Sequence, residues 1–292
     1  MTSRPPIAVL GSLAAIAAIA LPTSGCGSTS ATLDPVARAA ETTTRAGGAH
    51  VSLEGSVSSP ATGMALTLKG QGAINFSRHE GNLVLVMSGL PASVQSQLNE
   101  SSLQMNELFK SGSLYVGSSL FAAKLPGGAH WLRLDLTRIG QAIGLDPSSL
   151  ASGNADPTAT LKYLSAGGAT ASVLGHESVR GVATTHYAGT LNLLKAAEAA
   201  PGANRAELRA AFRKLVAETG TDSVPVEAWV DGHGLVRRTS MTITVNANGE
   251  KVQAQLSVEY HDFGPTPSVN APAASEVFDV TPEALGRLRS NG

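Results

Sequence analysis

Met241-Thr-Ile-Thr-Val-Asn-Ala-Asn-Gly-Glu-Lys-Val-Gln-Ala-Gln-Leu-Ser-Val-Glu-Tyr260 reads as two half-buried strands and the turn between them. Met241, Ile243 and Val245 alternate with threonines, and Val252, Ala254, Leu256, Val258 and Tyr260 alternate with polar residues. Side chains of a strand point to opposite faces in turn, so each half presents one apolar and one polar face. Asn248-Gly249 tolerates the positive φ angles of a type I′ turn, which joins antiparallel strands.

The same period recurs upstream. Val224, Val226, Ala228 and Val230 form a strand that turns at Asp231-Gly-His-Gly234. Near the N-terminus, Val51, Leu53 and Val57 alternate with Ser52, Glu54 and Ser56. Met64, Leu66, Leu68, Ile74 and Phe76 alternate with Thr67, Lys69, Gln71 and Asn75. Leu83 to Met87 is apolar at every position, as expected for a central strand covered on both sides. Leu103, Met105 and Phe109, then Leu114–Val116, then Leu132 and Leu134, continue the pattern. The expected fold is α+β: a large antiparallel sheet with one aliphatic face.

Helices are expected where a capping side chain precedes proline, at Asp34-Pro35, Asp146-Pro147, Asp156-Pro157 and Thr281-Pro282. Asn204 and Glu207 resemble a capping box opening a helix to Thr219, with Leu208, Phe212 and Leu215 on one side. The proline-rich stretch from Phe263 to Pro272 reads as an extended strap ending at Glu276-Val-Phe-Asp-Val280. No internal repeat or second linker divides residues 34–292, which are expected to form one domain.

The N-terminus carries an address. Arg4 precedes an apolar run from Ile7 to Leu21, shorter than the ~20 residues of a membrane span, and small residues follow. The chain's single cysteine comes next, in Leu21-Pro-Thr-Ser-Gly-Cys26. The string resembles the bacterial lipobox, where signal peptidase II cuts before a diacylglyceryl cysteine, although Thr23 stands where that pattern has leucine. Residues 1–25 are thus expected to be a lipoprotein signal peptide, and 26–33 a flexible tether with lipidated Cys26. Such a protein would sit at the extracytoplasmic face of the cell membrane, and no disulfide could form.

The 292 residues carry a formal net charge of −1, so no basic surplus favours nucleic acid as a partner. The seven histidines are scattered, with no HExxH pair, and neither a metal nor another cofactor is expected. No GxSxG, SxxK or GxxxxGK[ST] string occurs, and no carboxylate pair has a spacing that implies acid–base work. The chain is expected not to be an enzyme. Gly70-Gln-Gly72 lies inside an alternating strand and marks a bend or a close backbone approach. In Thr184-Thr-His-Tyr187, His186 and Tyr187 should face opposite sides. A cross-strand hydrogen-bonding patch is favoured there over a cavity-lining role. Trp131 and Trp229 fall on the polar phase of their strands, where packing is the default.

Together, the lipobox, the one-faced aliphatic sheet and the inserted helices resemble the actinobacterial LppX/LprG-type lipoproteins, which share the LolA/LolB half-open barrel. The better-matching strings are Leu125-Pro-Gly-Gly-Ala-His-Trp-Leu-Arg-Leu-Asp135, Val179-Arg-Gly-Val-Ala-Thr-Thr-His-Tyr187, and the tail from Phe263-Gly264 to Val269-Asn-Ala-Pro-Ala-Ala-Ser-Glu-Val277. The resemblance implies a curved sheet with helices over its concave apolar face. It also implies a cavity for the acyl chains of a lipid or glycolipid, and a carrying or presenting role. The expected cavity-lining residues are Leu53, Leu66, Leu68, Ile74, Leu85, Met87, Met105, Val226, Ile243, Val245, Leu256 and Val258. The helix 204–219 and the Leu83–Leu90 strand with its following loop would form a mobile rim. A non-catalytic envelope sensor or protein-binding module on the same fold is the alternative.

Overall fold

A computed structural model describes residues 35–60, 63–122, 125–142, 172–199, 205–247, 250–266 and 268–290. The expected signal peptide, tether, Cys26 and Asp34 lie outside these residues. So do the helix starts at Asp146-Pro147 and Asp156-Pro157, the cap Asn204, and the Asn248-Gly249 turn.

The strands are β1 (Gly48–Ser59), β2 (Met64–Asn75), β3 (Glu80–Ser88), β4 (Ser102–Lys110), β5 (Ser113–Gly117) and β6 (Trp131–Asp135), then β7 (Ser172–Val179), β8 (Val182–Asn192), β9 (Ser223–Asp231), β10 (Val236–Ala247), β11 (Glu250–His261) and β12 (Val277–Asp279). They form one open sheet in the order β12-β6-β5-β4-β3-β2-β1-β11-β10-β9-β8-β7. Two meanders, β1–β6 and β7–β11, therefore meet at a single seam between β1 and β11. The helices are α1 (Pro35–Arg45), α2 (Ala92–Leu98), α3 (Ser119–Ala122), α4 (Leu136–Ala142), α5 (Leu193–Ala199), α6 (Arg205–Thr219) and α7 (Thr281–Ser290).

Two details differ from the sequence reading. The sheet is mixed, because β12 runs parallel to β6, pairing Val277 with Trp131 and Asp279 with Arg133. Arg133 anchors that pairing by donating to Asp279 at 3.0 Å and to Asp135 at 3.1 Å. The second difference is β3, which is not covered on both sides. Leu85 and Met87 are buried, but Val84 is 41% exposed on the other face. The continuous apolar run reflects β-propensity as much as burial there.

Helix α1 forms because its apolar residues recur at helical spacing, burying Val36, Ala39, Ala40 and Thr43 against the sheet. Thr43 Oγ1 donates to the Ala39 carbonyl (2.7 Å) and accepts from the Val236 amide (2.8 Å), tying the helix to β10. The glycines of β2 permit close approach between strands. A Cβ built at Gly72 would enter the space of the Asn82 carbonyl oxygen, and one at Gly70 would lie 2.5 Å from Leu85 Cδ2.

The β9–β10 turn is organised by Asp231, whose side chain is 1% exposed. One carboxylate oxygen accepts from the His233 and Leu235 amides at 2.8 and 2.9 Å, and the other from Arg237 Nε at 2.6 Å. Burial alone would raise its pKa, but these donors and the Arg237 charge hold it below the ordinary value. The ionised form is therefore favoured by folding. Its contribution is present above the ordinary pKa and is lost as the pH falls through the depressed one. Asp231→Asn is expected to lower stability at pH 7 by about 1.5–3 kcal/mol. It should also flatten the acid limb of a denaturant-midpoint titration; an unchanged limb would remove Asp231 as its cause.

The aliphatic face of the sheet

Strand register decides which side chains share a face, since directly paired residues project to the same side. One chain of partners runs Thr239–Val258–Leu53–Gly70–Leu85–Met105 across β10, β11, β1, β2, β3 and β4. The next runs Val226–Met241–Leu256–Gly55–Leu68–Met87–Leu103 from β9 to β4. Ile243 pairs with Ala254 and Val245 with Val252, while Leu66 pairs with Val57 and Ile74 with Ala49. All twelve residues expected to line a cavity thus lie on one face of the sheet.

Among the described residues, helices cover this face in three separate patches. Over β8–β11 and the adjoining parts of β1 and β2, the helices α1, α5 and α6 pack Val36, Leu193, Ala197 and Phe212 onto Val226, Ile74 and Tyr260, with Ile243 and Val258 at the margin. At one end of the N-terminal meander, α2 and α3 bring Val94, Leu98 and Leu120 onto Leu66, Met87 and Leu103, with Leu68 and Met105 beside them. At the other end, α4 places Leu136 and Ile139 on Phe109, Leu114 and Leu134. Leu53, Leu85, Val245 and Leu256 belong to none of the three patches among the described residues. Leu53 and Leu85 face each other across Gly70.

One residue on this face escaped the sequence reading. Glu107 pairs with Leu83 on one side and Val116 on the other, so it projects with the aliphatic residues. It is half-buried, and desolvation pushes its carboxyl above the usual range. Its signal was present in the sequence: Leu103, Met105 and Phe109 set a phase that residue 107 shares, and the residue in phase is an acid.

The opposite face is polar and cross-linked. The His186 ring stacks on Trp229 at 4.1 Å, with Nδ1 3.0 Å from Glu177 and Nε2 3.1 Å from Glu227. Tyr187, its neighbour, packs instead on the aliphatic side, so the two residues do face opposite ways. Arg238 lies over the Trp229 ring at 5.1 Å and pairs with Glu259, which Arg180 also reaches. Those two guanidiniums outweigh burial and lower the Glu259 pKa. Trp229 is thus packed between cross-strand neighbours, and among the described residues its indole N–H has no partner. Trp131 lies over Gly117.

An open depression of about 590 Å³ lies at the β7–β9 end, lined by His176, Glu177, Thr184, Thr185 and Asp231. It contains none of the expected lining residues. Among the described residues no group of His, Cys, Asp or Glu is arranged to hold a metal ion. No described helix is long and apolar enough to cross a membrane.

No protein-family model matches the chain. Among solved structures it is similar to LprF from Mycobacterium bovis, at 11% identity and a TM-score of 0.41, over 82% of this chain and 97% of that one. It is also similar to the Mycobacterium tuberculosis lipoprotein LppX, at 13% identity and a TM-score of 0.40, over 81% and 100%. In sequence it is 30% identical over 256 residues to an uncharacterized 31.2 kDa protein of Streptomyces griseus from the rplA–rplJ intergenic region, covering 84% of this chain and 79% of that one. An identity of that extent, spread along most of both chains, means that this chain belongs to the family of the Streptomyces griseus 31.2 kDa protein.

Proposed function

We propose that this protein is a non-catalytic lipoprotein of the cell envelope, anchored by diacylglyceryl-Cys26 at the extracytoplasmic face of the membrane. Its aliphatic sheet face binds the acyl chains of a lipid or glycolipid, which it carries or presents. The reading is carried by the continuity of that face: twelve aliphatic residues in register, on which, among the described residues, helices pack in three patches and not as one layer. Each buried methylene of an acyl chain contributes about 0.8 kcal/mol, so two long chains bind firmly without a polar code. The helix α6 and the β3–α2 connection are the segments whose movement would admit them.

Native mass spectrometry of the full-length chain, extracted from membranes in mild detergent, tests this directly. A co-purifying lipid is the expected result. A chain that emerges empty and takes up no fluorescent acyl probe overturns the reading. That outcome would favour a protein-binding module, for which β7 supplies an edge with Val173 and Leu174 57% and 58% exposed.

A further inference from the structure

We infer that Glu107 selects the ligand: the aliphatic face takes a lipid whose polar end is a neutral hydroxyl group, which donates its hydrogen bond to the Glu107 carboxyl. This rests on the acyl-binding reading above and adds the class of headgroup to it.

Among the described residues, Glu107 is the only charged residue on this face from β1 to β6. Its cross-strand partners are Leu83 and Val116, and Met105 and Phe109 flank it along β4. Among the described residues no hydrogen bond or ion pair reaches its carboxyl, and burial is what raises its pKa. Its position is also informative. Met105 belongs to the patch under α2 and α3, and Phe109 to the patch under α4. Glu107 sits between them along β4, and Leu85, Val116 and Leu132 on the same face belong to neither patch among the described residues. The carboxyl is half-buried among aliphatic neighbours, so a ligand that covers it must offer it a hydrogen bond or leave it desolvated and unpaired.

The chemistry of the carboxyl then sorts the ligands. A fatty-acid headgroup brings a second anion to a poorly solvated carboxylate and is repelled. A lipid with no donor at its polar end leaves the carboxyl desolvated and unpaired. An ammonium satisfies only the ionised acid, and carries its own cost of leaving water. A hydroxyl fits both protonation states, donating to the carboxylate, and donating to or accepting from the neutral acid.

The test equilibrates the full chain with vesicles containing equimolar diacylglycerol, triacylglycerol, long-chain fatty acid and long-chain primary amine, and reads the bound lipids by native mass spectrometry. The wild-type chain is expected to take diacylglycerol over each of the others by roughly tenfold or more, the scale of one hydrogen bond to a charged group. Glu107→Leu is expected to bind acyl lipids still, with that preference reduced to within about threefold. Glu107→Gln, which keeps the size and an accepting oxygen, should keep diacylglycerol over triacylglycerol but lose its exclusion of fatty acid. A wild-type preference for amine or fatty acid, or a Glu107→Leu chain that still selects diacylglycerol, overturns the inference alone. Uptake of none of the four lipids overturns the acyl-binding reading and this inference with it.

Discussion

Replacing Cys26 with alanine is expected to move the protein from the membrane fraction to the soluble fraction and to abolish incorporation of labelled palmitate. The effect should be close to all-or-none. Two or three acyl chains, each contributing about 0.8 kcal/mol per buried methylene, hold a protein far more firmly than a surface of net charge −1 can. Thr23 makes the experiment informative, because the residue three before the cysteine departs from the lipobox pattern. Persistence of both the label and membrane retention in Cys26→Ala would remove the lipid anchor from the account.

The second large effect concerns the sheet. Gly72→Ala is expected to destabilise the protein by about 3 kcal/mol, the upper end of what overpacking costs. The added methyl meets a backbone carbonyl, that of Asn82 on β3, and backbone cannot rotate away as a side chain would. A midpoint lower by several degrees should be seen in thermal melts. Gly175→Ala is the control: a Cβ at Gly175, on β7, meets no atom within 4 Å, and its effect should stay within about 0.5 kcal/mol. Equal melting temperatures for the two variants would show that β2 and β3 are not held as closely as described.

What the sequence made legible was whatever a single strand or helix must do to bury one face. The alternation in Met64–Phe76, Val224–Val230 and Val252–Tyr260 is that constraint written in residue types, and those strands were placed within a residue or two. Gly70 and Gly72 were readable as a close approach for the same reason. β7 was not legible, because an edge strand exposed over most of its length has no buried face to alternate with. β12 is three residues long and pairs with a strand 146 residues earlier, so nothing local announces it. Helix α2 begins after Pro91 with no side-chain cap, leaving none of the start signals that marked α1 and α7. Val84 misled because an apolar residue is permitted on a surface, while a charged residue is seldom permitted in a core. By that asymmetry Glu107 was the more informative residue.

The seam between β1 and β11 has a consequence for the order in which the chain can assemble. In β1–β6 and in β7–β11 every strand pairs with its neighbour in sequence, so each meander closes loops far shorter than the seam does. The seam instead joins residues such as Ser52 and His261, 209 positions apart. Contacts of that separation form late, since the entropy of closing so long a loop is recovered only once both partners are in place. During synthesis the first meander must therefore wait, with β1 unpaired on one side, until the last strands arrive. α1, which precedes β1 and docks through Thr43 on β10, spends the same interval without its surface. The slowest step is then expected to be a zipper closing at this seam, and substitutions there should act on folding time before they act on anything the folded molecule does.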